Sequence, residues 1–338
     1  MNVGDYAGAG LQHKDCNETQ SFVFYCINMR RDMIRNYSSK EIYEDDGVIY
    51  VNGIAIGAVS PTVLFGKKNG GLFINSKKGI YGFDGSPKGF WDAMIKSGAI
   101  LFGGQDDSRD FTMLLRSSRH SRTVSYLSSV FDSCSEIVGA VRKIAESKIL
   151  VVGGGGIGSM VAVNMAGCGV RNIVVVDGDV VEESNLNRQF LFSRADIGKH
   201  KATVIKRFIE NRYEDVLVID ICEFFGENVC EGSYDAIVVS ADNPLGVVDR
   251  ISNHFSADVI YAGYVHDESV AGFVGDCSEQ GDSIKWERSE SFIGPSIGPV
   301  NMELAGVAAG ICLNHILGAD VSRKIFSWKN WKFPHDYR

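Results

Sequence analysis

The feature that most constrains this chain is a run of glycines, Gly153-Gly154-Gly155-Gly156-Ile157-Gly158, set between the apolar run Lys148 to Val152 and a second apolar stretch, Met160 to Cys168. A strand that enters glycines and leaves as a helix is the first turn of a parallel βαβ unit. Without side chains, the backbone N–H groups of such a turn can approach phosphate oxygens. The helix N-terminus behind them adds a partial positive charge. Asn172 to Asp177 reads as the second strand. Its last residue, Asp177, lies about twenty residues beyond the glycines, where a carboxylate can accept from ribose hydroxyls. Nucleotide binding is therefore expected, with Gly153, Gly155, Gly156, Gly158 and Asp177 as contacts. The turn by itself leaves NAD, FAD and ATP open.

The chain around it follows the same grammar. Further strands fit Val216 to Ile221, Asp235 to Ser240 and Val259 to Ala262, with helices at Lys199 to Asn211 and Leu245 to Phe255 between them. Strands alternating with helices imply an α/β, doubly wound, Rossmann-like sheet. An irregular polar stretch, Asp276 to Ser291, comes next, then an apolar helix, Val300 to Leu317, and an aromatic tail, Phe326 to Tyr337. The beginning of the chain reads differently. Val48 to Val51, Asn52-Gly53 and Ile54 to Ile56 form a β-hairpin signature with a type I′ turn. Ser60-Pro61 is expected to open a short helix, Gly71 to Ile74 a strand, and Phe90 to Ile95 a helix. These pieces suggest a small α+β module over residues 1–110, followed by the nucleotide-binding domain over residues 111–338.

Composition narrows the partners. With 42 acidic residues against 34 basic ones, the net charge is −8, and no Lys/Arg stripe offers a track for a phosphate backbone, so no nucleic acid is expected. No run of about 18 consecutive apolar residues occurs, and the polar start, Met1 to Gln12, lacks the apolar core of an export signal. A cytoplasmic protein with no membrane partner is the expectation. The 8 cysteines include no CxxC pair. That spacing argues against structural zinc.

The residues beyond the second strand separate the nucleotides. Asp177-Gly178-Asp179 leads into Ser184-Asn185-Leu186-Asn187-Arg188-Gln189 and then Gly198-Lys199-His200-Lys201. A dehydrogenase needs no fixed cations this close to its cofactor phosphates. An enzyme that cleaves ATP does, because charge develops on the phosphoryl oxygens as pyrophosphate leaves. Arg188 offers a bidentate fork and Lys201 a compact point charge. Asn185 can donate or accept at ribose or phosphate, and Asp242, at the end of a strand, is placed to hold Mg²⁺ through oxygen.

The string from Ile149 to Asn211, with these three motifs in order, resembles the ThiF/MoeB/E1 superfamily of adenylating enzymes. The resemblance extends over roughly Arg119 to Leu317. It implies ATP and Mg²⁺ as cofactors and activation of a carboxylate as an acyl-adenylate. It also implies that Asp177 binds the ribose, that Asp179, Asn185, Arg188, Gln189 and Lys201 contact the nucleotide, and that Asp242 carries the metal. Arg122, just ahead of the first Rossmann strand, matches an arginine that this family extends into the neighbouring subunit's site, so a homodimer is implied.

Within the superfamily, Val239 to Pro244 and Tyr261 to Asp267 resemble the MccB-like branch, which modifies ribosomally made antibiotic peptides. That likeness implies a winged-helix-like N-terminal clamp for a leader peptide and a crossover loop near residues 276–298. Members of the branch that hold zinc use two CxxC pairs. This chain has only Cys277 near the first and no cysteine after Cys312, so zinc is expected to be absent, as in the zinc-less pantocin-type enzymes. The resulting expectation is ATP-dependent activation of a carboxylate, a Glu side chain of a precursor peptide, that then cyclises into a bicyclic core. His266, with Asp267 and Glu268, is a candidate general base, and Lys285 and Arg288 are candidate contacts for an acidic core peptide. Three rivals stand beside this reading: an MccB-like peptide adenylyltransferase, an activator of a ubiquitin-like or sulfur-carrier protein, and an NAD-binding oxidoreductase.

Overall fold

A computed structural model describes residues 34–117, 119–226, 231–243, 245–265, 267–274, 289, 293–319 and 325–329. The chain divides into two compact units, Met1–Val138 and Gly139–Arg338.

The first unit is built on tight turns. Strands β1 (Ile42–Asp45), β2 (Val48–Val51), β3 (Ile54–Val59), β4 (Leu64–Lys68), β5 (Gly71–Ser76), β6 (Gly79–Phe83) and β7 (Ile100–Phe102) form two antiparallel sheets, ordered β1-β2-β3-β7 and β4-β5-β6. Asn52 and Gly53, at φ 50° and 78°, make the expected hairpin turn, and Asp46-Gly47 and Asn69-Gly70 repeat it with positive φ at both residues. Paired positive φ matches the right-handed twist of the flanking strands. Helix α1 (Pro87–Lys96) starts where Ser86 Oγ accepts from Gly89 N at 3.0 Å, with Pro87 in the first turn. It buries Phe90, Trp91, Ala93 and Met94 against Ile49, Ile74 and Ile100. One expectation fails: residues 61–62 form a turn, not a helix. Ser60 Oγ accepts from Thr62 N at 3.3 Å, a local bond that competes with helix formation. Helices α2 (Gln105–Arg116) and α3 (Ser121–Val130) follow, and α4 (Cys134–Glu146) runs across the division of the chain.

The second unit is a seven-stranded sheet ordered β10-β9-β8-β11-β12-β13-β14, with β8 (Lys148–Val152), β9 (Asn172–Val176), β10 (Leu217–Ile221), β11 (Ala236–Val239), β12 (Val259–Val265), β13 (Glu268–Phe273) and β14 (Ile325–Lys329). The first five strands in that order are parallel, as expected of a doubly wound sheet; β13 and β14 extend it antiparallel. Strands β8 and β11 are apolar on both faces, and Ile149, Leu150, Ile237 and Val238 are fully buried, as strands covered by helices on both sides must be. The helices are α5 (Gly158–Cys168), α6 (Lys201–Arg212), α7 (Val247–His254) and α8 (Gly298–Leu317). The 20-residue α8 has the length and mean hydropathy, 1.3, of a membrane span. It packs against α5, β11, β12 and β13 as a core helix. From β8 the chain steps to β9 on one side, and β11 pairs on the other side of β8. That reversal leaves a crevice at the carboxyl ends of β8 and β11, where ligands of such sheets bind.

Candidate nucleotide site

The glycine turn occupies this crevice, and its residues are there for different steric reasons. Gly153 has φ 95°, and a β-carbon on it would lie 2.6 Å from Ala241 N, at the end of β11. At Gly158 a β-carbon would lie 1.8 Å from the carbonyl oxygen of Gly153. Both contacts are backbone, so neither can be relieved by a rotamer change. Gly155 is the exception: a β-carbon there would meet only Gln189 Nε2, at 3.7 Å. Its open side is the part of the turn a phosphate can reach.

Asp177 is fixed beside the turn. Its Oδ2 accepts from Gly154 N at 2.6 Å and its Oδ1 from Asp179 N at 2.8 Å. Burial pushes its carboxyl above the usual range, and the nearby Lys201 charge, with these backbone donors, opposes that rise. Lys201 opens α6 and is 6% exposed. Its Nζ lies 2.8 Å from Asp179 Oδ2, and its backbone N donates to Asp179 O at 3.0 Å. Both members of this pair line the cleft, so an anion entering from the open side would compete with Asp179 for the Lys201 ammonium.

Asn185 is buried and accepts from Glu182 N at 3.0 Å, closing a capping box on a single 3₁₀ turn. That turn presents Arg188, whose Nη1 donates to Ser184 O at 2.6 Å and Asn187 Oδ1 at 3.0 Å. Gln189 is 5% exposed, and among the described residues its Oε1 has no hydrogen-bond partner. A buried acceptor without a donor in the protein is a cost that a bound molecule or water can offset.

These groups line one cleft of about 470 Å³, within the ordinary range for small-molecule sites. It brings together Gly153, Gly155, Asp177, Asp179, Asn185, Arg188, Gln189, Lys201 and Asp242. Gly156 and Gly158 shape the turn from behind. Arg122 is exposed in the first turn of α3 and belongs to the first unit. His266, Lys285 and Arg288 lie outside the described residues. Glu268 opens β13, exposed, opposite Val265 and Lys329.

Sequence reading missed the far wall. Glu223, Phe224 and Phe225 follow β10 and line the cleft, with Phe224 packed so closely on Gly178 that a β-carbon there would meet its ring at 2.8 Å. Their position just past a strand's carboxyl end was the available signal. Triphosphate fits these donors: an open glycine cradle, two cations, and buried acceptors for ribose or base. Among the described residues no three His, Cys, Asp or Glu side chains converge on a metal position. Mg²⁺ is commonly held by one or two carboxylates plus substrate phosphates, so Asp242 alone is a sufficient protein contribution.

Comparison with known proteins decides the family. The ThiF family model matches residues 134–334. The chain belongs to the ThiF family. Among curated relatives, the NEDD8-activating enzyme E1 catalytic subunit of Dictyostelium discoideum is 54% identical over 65 residues, 19% of this chain and 15% of that protein. The chain thus matches only a small part of such a relative's length. Solved structures cover far more. E. coli MccB with MccA is 23% identical at a TM-score of 0.61, covering 80% of this ThiF-family chain and 95% of its own, and it has also been solved with ATP. PaaA is 18% identical at a TM-score of 0.59, covering 80% of this chain and 96% of its own. At these identities the likeness is one of fold.

Proposed function

We propose that this ThiF-family protein uses ATP to activate a carboxylate of a peptide. The observation that carries the proposal is the single cleft in which an open glycine cradle faces Arg188, Lys201 and Asp242, a set with no purpose in hydride transfer. A carboxylate oxygen attacks the α-phosphorus, the bond to the β-phosphate oxygen breaks, and pyrophosphate leaves with the electron pair. Lys201 and Arg188 stabilise the charge that builds on the phosphoryl oxygens; Asp177 holds the ribose and the turn. Mg²⁺ bound at Asp242 would supply further charge neutralisation. A nitrogen or carbanion of the same peptide then attacks the acyl carbon, AMP departs, and the nucleophile's proton passes to a base. Tethering makes that second step a matter of proximity.

The peptide reading is supported by the likeness in fold to MccB, solved with MccA, and by the separate N-terminal unit, which we assign to peptide capture. The finer reading is a Glu side chain of a precursor peptide that closes into a bicyclic core. The match to NEDD8-activating enzymes supports a second reading, activation of a ubiquitin-like protein. Pyrophosphate exchange separates them. The full-length protein is incubated with ATP, Mg²⁺, labelled pyrophosphate and either short Glu-rich peptides encoded beside its gene or a Gly-Gly-ended carrier protein. Peptide-dependent exchange and a mass loss of water in the product support the proposal. Exchange with the carrier alone supports the rival, and no exchange with either rejects both.

A further inference from the structure

Behind the glycine turn sits an amide that the proposed chemistry has not used. Asn301, in the first turn of α8, is 2% exposed. Its Nδ2 points at the Arg188 carbonyl oxygen, 3.5 Å away, and at Ser296 Oγ, 3.4 Å away. It fills the notch left by Gly156, where a β-carbon would lie 2.2 Å from Nδ2 and 3.1 Å from the Arg188 oxygen. Among the described residues its Oδ1 has no hydrogen-bond partner. Stability does not explain such a residue. Two long hydrogen bonds return little, and leaving a buried carbonyl unsatisfied is costly, so an apolar side chain of the same shape would serve the core better.

The network continues outward. Ser296 Oγ also accepts from the hydroxyl of Tyr264, near the carboxyl end of β12. Burial pushes the Tyr264 phenol up, the hydrogen bond to Ser296 opposes that rise, and the charges of Arg188 and Asp242 act on it in opposite directions, so the phenol feels both groups assigned to phosphate and metal. The Arg188 backbone is held on its other side by its N–H, which donates to Asn185 O at 3.1 Å.

We propose that Asn301 is a positioning residue: it holds the Arg188 carbonyl against the glycine turn and, through Ser296, ties that anchor to Tyr264, so that β12 and α8 together set where the Arg188 guanidinium stands. The inference rests on the ATP reading for its catalytic consequence, but not for its structural one. Contacts of this kind, long in the free protein, tighten when substrate binds.

The test uses Asn301→Leu and Asn301→Asp, read by hydrogen exchange of the backbone amides at 186–190 and by pyrophosphate exchange. Leucine keeps the shape without the donor. The expected result is a melting temperature equal to or above wild type, faster amide exchange at 186–190, and a fall in kcat/KM of at least about tenfold, mostly in kcat. Aspartate places a carboxylate against a carbonyl. Its activity relative to wild type should recover as the pH falls and the carboxyl regains a proton to donate, a dependence that a purely structural role would not produce. Unchanged exchange at 186–190 in Asn301→Leu overturns the proposal. Should that variant not fold, Ser296→Ala and Tyr264→Phe remove single hydroxyls, and the same segment must exchange faster in both. If wild type shows no pyrophosphate exchange while the Leu variant still loosens 186–190, the anchor stands and the ATP reading falls.

Discussion

Removing the ammonium of Lys201 separates a structural ion pair from a catalytic charge. Its Nζ is 2.8 Å from Asp179 Oδ2, with the lysine side chain 7% exposed and the aspartate 50% exposed. Once the lysine is gone, Asp179 can turn to water, so Lys201→Met should cost only about 1 kcal/mol of stability. The charge aimed at the cleft is a different quantity. A preorganised cation beside a phosphoryl group is worth about 2–4 kcal/mol in the transition state, which is about 30- to 1,000-fold in rate. Loss of that cation also lets the Asp177 carboxyl rise further, because the Lys201 charge is the largest of the effects that oppose its burial. Pyrophosphate exchange and thermal melting are measured on wild type, Lys201→Met, and Lys201→Met combined with Asp179→Asn. In the double variant stability should return to near wild type while exchange stays depressed by at least about 30-fold. Recovery of exchange together with stability would refute the reasoning, since Lys201 would then serve only to neutralise Asp179.

The glycines should divide by what stands in front of them: Gly158→Ala meets backbone and should cost about 3 kcal/mol or more, seen as a lower melting temperature, while Gly155→Ala should melt like wild type and lose nucleotide binding by calorimetry. Asp196 provides a pH test. Burial alone would raise its carboxyl, yet Ser193, Arg207 and Lys199 together hold it well below the usual range. That stabilisation is complete above the ordinary value of 3.8 and disappears as the pH falls through the lowered one, so Asp196→Asn should be less stable than wild type by about 2 kcal/mol at pH 7, with the gap closing below pH 4. If Arg122 serves a neighbouring subunit's cleft, mixing inactive Arg122→Ala with inactive Lys201→Met should restore about a quarter of wild-type turnover, as random pairing in a homodimer requires; no recovery after subunit exchange would place Arg122 outside the reaction.

Much of the site was legible because its constraints are local. The apolar strand, the glycines, the helix and Asp177 fall within one βαβ unit, where each residue's neighbours in space are also neighbours in sequence. Lys201 and Arg188 were legible for a related reason: short motifs hold them at a helix start and in the turn that follows a 3₁₀ helix. Asp46-Gly47 and Asn69-Gly70 carried the same hairpin signal as Asn52-Gly53 and could have been read the same way. Other features had no such signal. Strand β13 pairs with β14 across more than the length of α8, so neither partner marks the other. The polar opening of α2, Gln105-Asp106-Asp107-Ser108, hides a helix that buries Phe111. Asn301 reaches the turn, and Phe224 reaches Gly178, through tertiary packing alone.

Strand β14 has a consequence for the behaviour of the protein in solution. It returns from beyond α8 to satisfy the outer amides of Glu268–Phe273, from Gly272 opposite Ile325 to Glu268 opposite Lys329. Five residues thus replace β13 as the outermost strand of the sheet and carry its unpaired backbone row one strand outward. A chain stopped after Leu317 would keep every residue that lines the nucleotide cleft and leave Glu268–Gly272 unpaired as the new edge.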